Sequence, residues 1–204
     1  MWTTHGNDEE LCSRSIRLFE EISALDCDVE LCLHYIDKGV DVDMTGGGRE
    51  DTLLMRAALC DRTTIINALI DKGANVNTQN ESGATALMFA AFHGNIGSLN
   101  LLLSKGGNAN AKDKWGTTAL MYTVKLGNIQ CAHALLNHGA DIDAKNDHGE
   151  TAEEIATMHK QEQTAKTLRE ESIRQKFSTE AQKGTAKTRK ILHPRIRPRH
   201  QHGQ

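Results

Sequence analysis

Residues 69–77 read LIDKGANVN, and this stretch returns twice, as LLSKGGNAN at 102–110 and as LLNHGADID at 135–143. Each copy begins with two apolar residues, and a glycine follows at the fifth position of the copy. These glycines lie 33 residues apart, at Gly73, Gly106 and Gly139. The chain is therefore built around an internal repeat.

A second marker keeps the same register. A threonine recurs every 33 residues, at Thr52, Thr85, Thr118 and Thr151. The first three copies continue as TLLM, TALM and TALM, so the apolar pattern repeats together with the threonine. A fixed period of this length indicates a solenoid of stacked units rather than a closed globule.

Each unit predicts two short helices and a turn. Thr85 is suited to cap the first helix, and Ala90 and Ala91 then lie on one face of it. Gly94 ends that helix, because glycine adopts the left-handed C-cap conformation at little cost. A second apolar helix follows and stops at Gly106, and the polar stretch after it should project as a finger. Neither helix buries its apolar face alone, so about three or more stacked units are needed for stability.

These residues resemble the ankyrin-repeat family, whose units read roughly D-x-x-G-x-T-P-L-H-x-A-A, then G, then L-L-x-x-G-A-x-V-N. The best copy is DKWGTTALM at 113–121, and the resemblance covers about residues 13–172. It implies an all-α ankyrin-repeat solenoid of helix-turn-helix units with projecting β-turn fingers. We expect a flexible segment at 1–12, units at about 13–46, 47–79, 80–112, 113–145 and 146–172, the end of a C-terminal helix at 173–180, and a disordered basic tail at 181–204.

The chain departs from the family pattern at several positions. Glu50 and Asp61 stand where glycines are usual. Methionine replaces the usual histidine, which leaves the hydrogen bonds of that histidine unmade, at Met55, Met88 and Met121. These departures put the usual bracing of the fingers in question but not the fold.

The end units look like polar caps. Glu153 and Glu154 stand where leucine is expected, as in a terminal unit that faces water. The glycine run 46–48 predicts a flexible finger between units 1 and 2. A further helix is expected from Gln163, with its apolar face at Ala165, Leu168, Ile173 and Phe177.

Composition excludes several classes of protein. Apolar residues make up 38% of the 204 positions, which is enough for a core, and no run approaches the ~18–20 apolar residues of a membrane span. Residues 1–5 do not begin a secretory signal pattern, so we expect a cytoplasmic protein, with the nucleus as a second possibility. The five cysteines form no paired framework, which favours a reducing compartment.

Catalytic and metal motifs are missing from the sequence. It contains no H-E-x-x-H, no C-x-x-C and no phosphate-binding G-x-x-x-x-G-K-[ST]. Cys27 and Cys32 lack a second ligand pair at zinc-site spacing, so they are interpreted as packing or surface thiols. We therefore expect no enzymatic activity, no cofactor and no metal.

Binding of another protein is the function that the resemblance implies. Members of the family use the finger tips and the exposed side of the first helix in each unit. Carried over position by position, the expected contacts are Arg49, Asp51, Leu59, Glu81, Ser82, Phe92, His93, Lys114, Trp115, Thr117, Lys125, Leu126, Asp147 and His148. This set mixes apolar anchors with both signs of charge, as protein interfaces do.

Four aromatic residues on this surface each have two interpretations. Trp115 is either an interface anchor at a finger tip or a side chain packed on the next finger. Phe92 is either a partner contact or part of the packing between units. For Phe89 and Tyr122, one turn earlier on their helices, packing between units is the favoured interpretation.

The two ends of the chain differ in charge, which leaves further functions open. Residues 1–50 hold 12 acids and 4 bases, whereas residues 181–204 hold seven bases and no acid. The tail suits a regulator that contacts nucleic acid or an anionic surface, or it is a solvated end without function. A host-directed microbial effector with an ankyrin body is a third possibility beside the adaptor, scaffold or inhibitor that the repeat favours.

Overall fold

The structure is a computed structural model that describes residues 9–24 and 27–174. More than half of these residues are helical and few are in strands, in agreement with the all-α prediction. Its helices are α1 (Glu9–Ser23), α2 (Val29–Asp37), α3 (Leu53–Leu59), α4 (Thr63–Asp71), α5 (Ala86–His93), α6 (Ile96–Ser104), α7 (Ala119–Leu126), α8 (Ile129–Asn137), α9 (Ala152–Met158) and α10 (162–174). A short hairpin of β1 (Thr45–Gly46) and β2 (Asp51–Thr52) precedes α3.

The predicted helix ends are confirmed. The hydroxyl of Thr85 accepts the N–H of Met88, and equivalent threonines cap α3, α7 and α9. Gly94 and Gly127 end α5 and α7 in the left-handed conformation, with φ of 72° and 75°. Loss of one such threonine cap costs about 1 kcal/mol of stability.

The helices stack in two layers. We call α3, α5, α7 and α9 the inner helices, and α4, α6 and α8 the outer helices. Each inner helix packs on the next inner helix, and each outer helix packs on the next outer helix. The paired alanines of α3 and α5 are completely buried, and their small side chains let neighbouring inner helices approach closely. One continuous apolar core therefore runs from α1 to α10.

Polar side chains tie successive units together. Asn95 Nδ2 donates to the carbonyl oxygens of Ala58 and Leu59, at 2.9 Å and 2.8 Å. These carbonyls belong to the last turn of α3, where helical partners are missing. Asn128, one period later, makes the same pair of bonds to the end of α5 at 3.4 Å each.

The two residues that replace family glycines adopt a glycine-like backbone. Glu50 and Asp61 have φ of 52° and 54°, a region that costs an L-residue roughly 1–2 kcal/mol. Both side chains make compensating bonds. Glu50 Oε2 accepts the hydroxyl of Thr45 at 2.5 Å, and Asp61 Oδ1 accepts the N–H and the O–H of Ser98 at 3.0 Å and 2.6 Å.

Met55 stands at the position of the family histidine and was expected to leave that residue's hydrogen bonds unmade. Its Sδ lies 3.4 Å from the Thr52 nitrogen and accepts that N–H, so one methionine does brace its own helix cap. In the last unit Glu154 occupies this position, so only Glu153 stands where leucine is expected, and the expectation for Glu154 was wrong. Its Oε2 accepts the Thr151 N–H at 2.7 Å and the Thr151 hydroxyl at 3.0 Å, and these bonds lower the pKa of Glu154.

Three details of the chain ends also differ from expectation. The segment 1–12 was expected to be flexible, but α1 begins at residue 9. Gly46, expected in a flexible finger, pairs with Asp51 in the antiparallel hairpin. Ile173, expected on an apolar helix face, is 49% exposed. Phe177 and the basic tail at 181–204 lie outside the described residues.

Candidate partner-binding surface

Three fingers are braced by the same side-chain turn. In each, one side-chain oxygen near the start of the finger accepts backbone N–H groups two and four residues later, at 2.9–3.0 Å. The accepting residues are Asn80, Asp113 and Asn146, which lie 33 residues apart. This local bond is the reason that Asn and Asp favour turns.

Backbone hydrogen bonds join each finger tip to the next. The N–H of Glu81 donates to Arg49 O, the N–H of Lys114 to Ser82 O, and the N–H of Asp147 to Trp115 O, at 3.0–3.1 Å. The tips therefore form one connected row beside the inner helices. Side chains at equivalent tip positions, such as 49, 82 and 115, become neighbours on this row.

A pocket of about 290 Å³ opens between the finger tips and the inner helices. Its floor comes from α3, α5 and α7, and its rim from three fingers. The lining residues are Arg49, Leu59, Asn80, Ser82, Ala84, Met88, Phe89, Phe92, His93, Trp115 and Tyr122. Ser82 stands between Arg49 and Trp115 in the row of tips, and its small side chain leaves the space between them unfilled.

Aromatic side chains dominate the pocket. The chain has two tryptophans, two tyrosines and four phenylalanines, and half of these eight line this one site. The Phe92 ring meets Tyr122 edge-on, with centroids 5.8 Å apart, and meets His93 edge-on at 5.1 Å. Trp115 is 54% exposed. This arrangement offers an apolar partner side chain both ring faces and ring edges.

A buried hydrogen bond fixes one wall of the pocket. The Tyr122 hydroxyl donates to Asp113 Oδ2 at 2.6 Å, and Asp113 is only 7% exposed. Burial, and after it this bond, raises the pKa of Tyr122 above its usual range. The phenol therefore stays protonated and remains the donor.

The expected contact residues divide into two groups. One group lines the pocket: Arg49, Leu59, Ser82, Phe92, His93 and Trp115. The others lie outside its lining. Asp51 and Thr117 are half-buried, and Asp51 Oδ1 accepts Asn80 Nδ2 at 2.6 Å, so neither side chain is fully available. The exposed remainder is Glu81, Lys114, Lys125, Leu126, Asp147 and His148.

The pocket also contains residues outside the contact surface expected from the sequence. Phe89 and Tyr122 pack against the core, as interpreted, and they line the pocket as well. Asn80, Ala84 and Met88 complete the lining. The signal that could have found Phe89 is its spacing of three from Phe92, which puts both rings on one face of α5.

The remaining chemistry of the described residues is limited. Cys27 Sγ and Cys32 Sγ lie 3.7 Å apart as free thiols, and burial, followed by Cys27, raises the pKa of Cys32 to about 12. Within 9–24 and 27–174, His, Cys, Asp and Glu form no group of three or more that could hold a metal ion. In the same ranges, no helix has both the length and the apolar character needed to cross a bilayer.

Comparison with known proteins agrees with this architecture. A family model described as ankyrin repeats (3 copies) matches residues 21–113 and 94–178. No curated protein matches the chain significantly. The family match spans well over half of the sequence, and the helix pairs, capped threonines and bonded fingers follow its repeat. The chain belongs to the ankyrin-repeat family.

Proposed function

We propose that this chain is a non-catalytic interaction module that holds another protein against its finger tips and inner helices. Ankyrin repeats are generally protein-protein interaction modules. The observation that carries the proposal is the aromatic pocket, into which a partner side chain can insert. Adaptor, scaffold and inhibitor all begin with this binding step, and they differ in what else the complex contains.

The exposed area of Trp115 supports its role as an anchor. A tryptophan side chain has roughly 250 Å² of surface, and about half of it is open here. Covering that half stabilises a complex by about 3 kcal/mol, before the costs of association are subtracted. Phe92 and Leu59 would add apolar contact in the same pocket.

The proposal is tested by affinity purification from the native cell, followed by mass spectrometry. Trp115→Ala and Phe92→Ala should each weaken the partner complex by about 2 kcal/mol in a titration. Ile173→Ala is the matched control, because Ile173 is 49% exposed on α10, away from the inner helices and finger tips, and does not line the pocket. A partner retained with unchanged affinity by both pocket variants would overturn the proposal.

The basic tail supports an alternative proposal. Its seven bases and lack of acids suit contact with nucleic acid or another anionic surface. Deleting 181–204 should then abolish salt-sensitive binding to DNA or RNA and leave partner binding at the pocket intact. The host-directed effector hypothesis differs only in the cell in which the module would act. It requires the same partner-binding surface.

A further inference from the structure

The pocket carries one fixed charge, and that charge is positive. Among its lining residues only Arg49 is permanently ionised, while the others are apolar, neutral polar or, in His93, titratable. Arg49 is exposed at the rim. Within the described residues its guanidinium makes no ion pair and no hydrogen bond, and its backbone oxygen alone accepts a bond, from Glu81.

Two carboxylates near the pocket are already hydrogen-bonded, and a third belongs to Glu81, whose backbone N–H donates to Arg49 O on the neighbouring finger tip. Asp51 accepts the Asn80 amide, and Asp113 accepts the Tyr122 hydroxyl and two finger N–H groups. Glu81, on the next finger tip, makes no ion pair with Arg49 within the part of the chain that the structure describes. The charge of Arg49 is therefore available to an anionic group on a partner.

The volume of the pocket suits one inserted side chain. At about 290 Å³ it lies just below the ~300–1,000 Å³ of typical small-molecule sites. Its walls of Phe89, Phe92 and Trp115 favour a large apolar group. Aromatic walls also attract cations, but Arg49 repels them and no lining residue supplies a carboxylate to offset that repulsion.

From these contacts we propose that the pocket recognises an acidic linear segment of a partner protein. One large apolar side chain enters between Phe92 and Trp115, and a carboxylate close to it in the partner sequence pairs with Arg49. This proposal rests on the proposed function, because it specifies the chemistry of the partner at that same site. In this proposal the inserted apolar side chain of the partner provides buried apolar area. Arg49 provides selectivity for segments that carry an acidic residue close to that side chain.

The experiment starts from peptides selected with the full-length chain. A random peptide library displayed on phage is panned against it, and enriched peptides are labelled with fluorescein for anisotropy titrations. Enriched peptides should share a Phe, Leu, Met or Trp with an Asp or Glu within a few positions. Arg49→Glu should weaken their binding about tenfold or more, as expected for a charge-assisted hydrogen bond.

Two controls isolate the role of Arg49. Lys145→Glu makes the same charge change at an exposed finger residue that does not line the pocket, and should leave affinity close to that of the wild type. Replacing the peptide's acidic residue by Lys should weaken binding to the wild type and restore binding to Arg49→Glu. This exchange of charges also shows that Arg49→Glu is folded.

The outcomes separate this proposal from the proposed function. Failure to enrich any peptide, enrichment without an acidic residue, or equal effects of Arg49→Glu and Lys145→Glu would each overturn the acidic-segment proposal. If Trp115→Ala still removes the native partner in those cases, the interaction module stands. If neither Trp115→Ala nor Arg49→Glu affects the native partner, both proposals fail.

Discussion

The hydroxyl of Tyr122 on α7 lies 2.6 Å from Oδ2 of Asp113, at the start of the finger in the same unit. The other oxygen of Asp113 accepts the N–H groups of Trp115 and Thr117 at 2.9 Å each. One carboxylate thus links the pocket wall to the turn that carries the exposed tryptophan. The position of Trp115 depends on a bond made by an inner helix.

Removing this hydroxyl should therefore destabilise the fold. Tyr122→Phe leaves a buried carboxylate oxygen of Asp113 without its donor, which should lower the free energy of unfolding by about 1–3 kcal/mol. Urea denaturation measures the loss. Tyr35→Phe is the control, since the Tyr35 hydroxyl has no hydrogen-bond partner among the residues described. Equal losses in the two variants would contradict this account.

Much of the fold follows from positions that repeat. Thr85 and Gly94 have equivalents one period away, and their local physics, a side-chain cap and a left-handed turn, is readable from the sequence. Asp61 breaks the repeat, because it stands where glycine is usual. Its positive φ and its bonds to Ser98 show that the backbone geometry persists where the glycine does not.

The pocket could not be predicted in the same way, because it arises where units differ. Positions 49, 82 and 115 are equivalent, yet they hold Arg, Ser and Trp, and all three line the cavity. The favoured interpretation of Tyr122, packing between units, agrees with its contact to Phe92, but the sequence does not show that the same ring also lines a cavity. The repeat predicts which finger residues lie beside each other, but only the three-dimensional structure shows the space between their side chains.

Two finger glycines give a matched pair of variants. Gly116 and Gly149 have φ of 70° and 80°, so Ala at either site meets the same backbone strain of about 1 kcal/mol. A Cβ on Gly116 would also lie 3.0 Å from the backbone nitrogen of Asp147, whereas nothing lies within 4 Å at Gly149. Gly116→Ala should therefore lower the thermal unfolding midpoint more than Gly149→Ala does. A larger shift for Gly149→Ala would show that contact between fingers is unimportant.

Two buried thiols should react slowly in the folded protein. Burial, and then Cys27, raises the pKa of Cys32 from 9.0 to about 12, and burial, followed by Asp61, raises the pKa of Cys131 to about 11. Because the thiolate is the reactive form, alkylation of both near neutral pH should be at least about tenfold slower than in denaturant. Mass spectrometry of the labelled peptides measures each rate. Equal rates in the folded and unfolded protein would be inconsistent with this burial.

The same pKa values set the sign of a pH effect on stability. Below about pH 9 both thiols are protonated in the folded and unfolded states, so their contribution is constant. As the pH rises through 9 towards 11, the thiols of the unfolded chain lose their protons before those of the folded protein do. The unfolded state therefore binds fewer protons than the folded state in this range. Stability should therefore fall over this range, and less so in Cys131→Ala, when urea unfolding is followed against pH.

Filling the pocket from within should block binding without unfolding the protein. Ser82 bonds its neighbours through its backbone N–H and C=O, and its hydroxyl has no partner within the described ranges. Ser82→Phe keeps those backbone bonds and places a ring in the space that Arg49 and Trp115 leave open. Affinity for a partner that anchors there should drop about tenfold or more, while the thermal midpoint stays unchanged. Ser82→Ala, which removes the hydroxyl without filling the space, should bind normally, and normal binding by Ser82→Phe would mean that partners do not use this pocket.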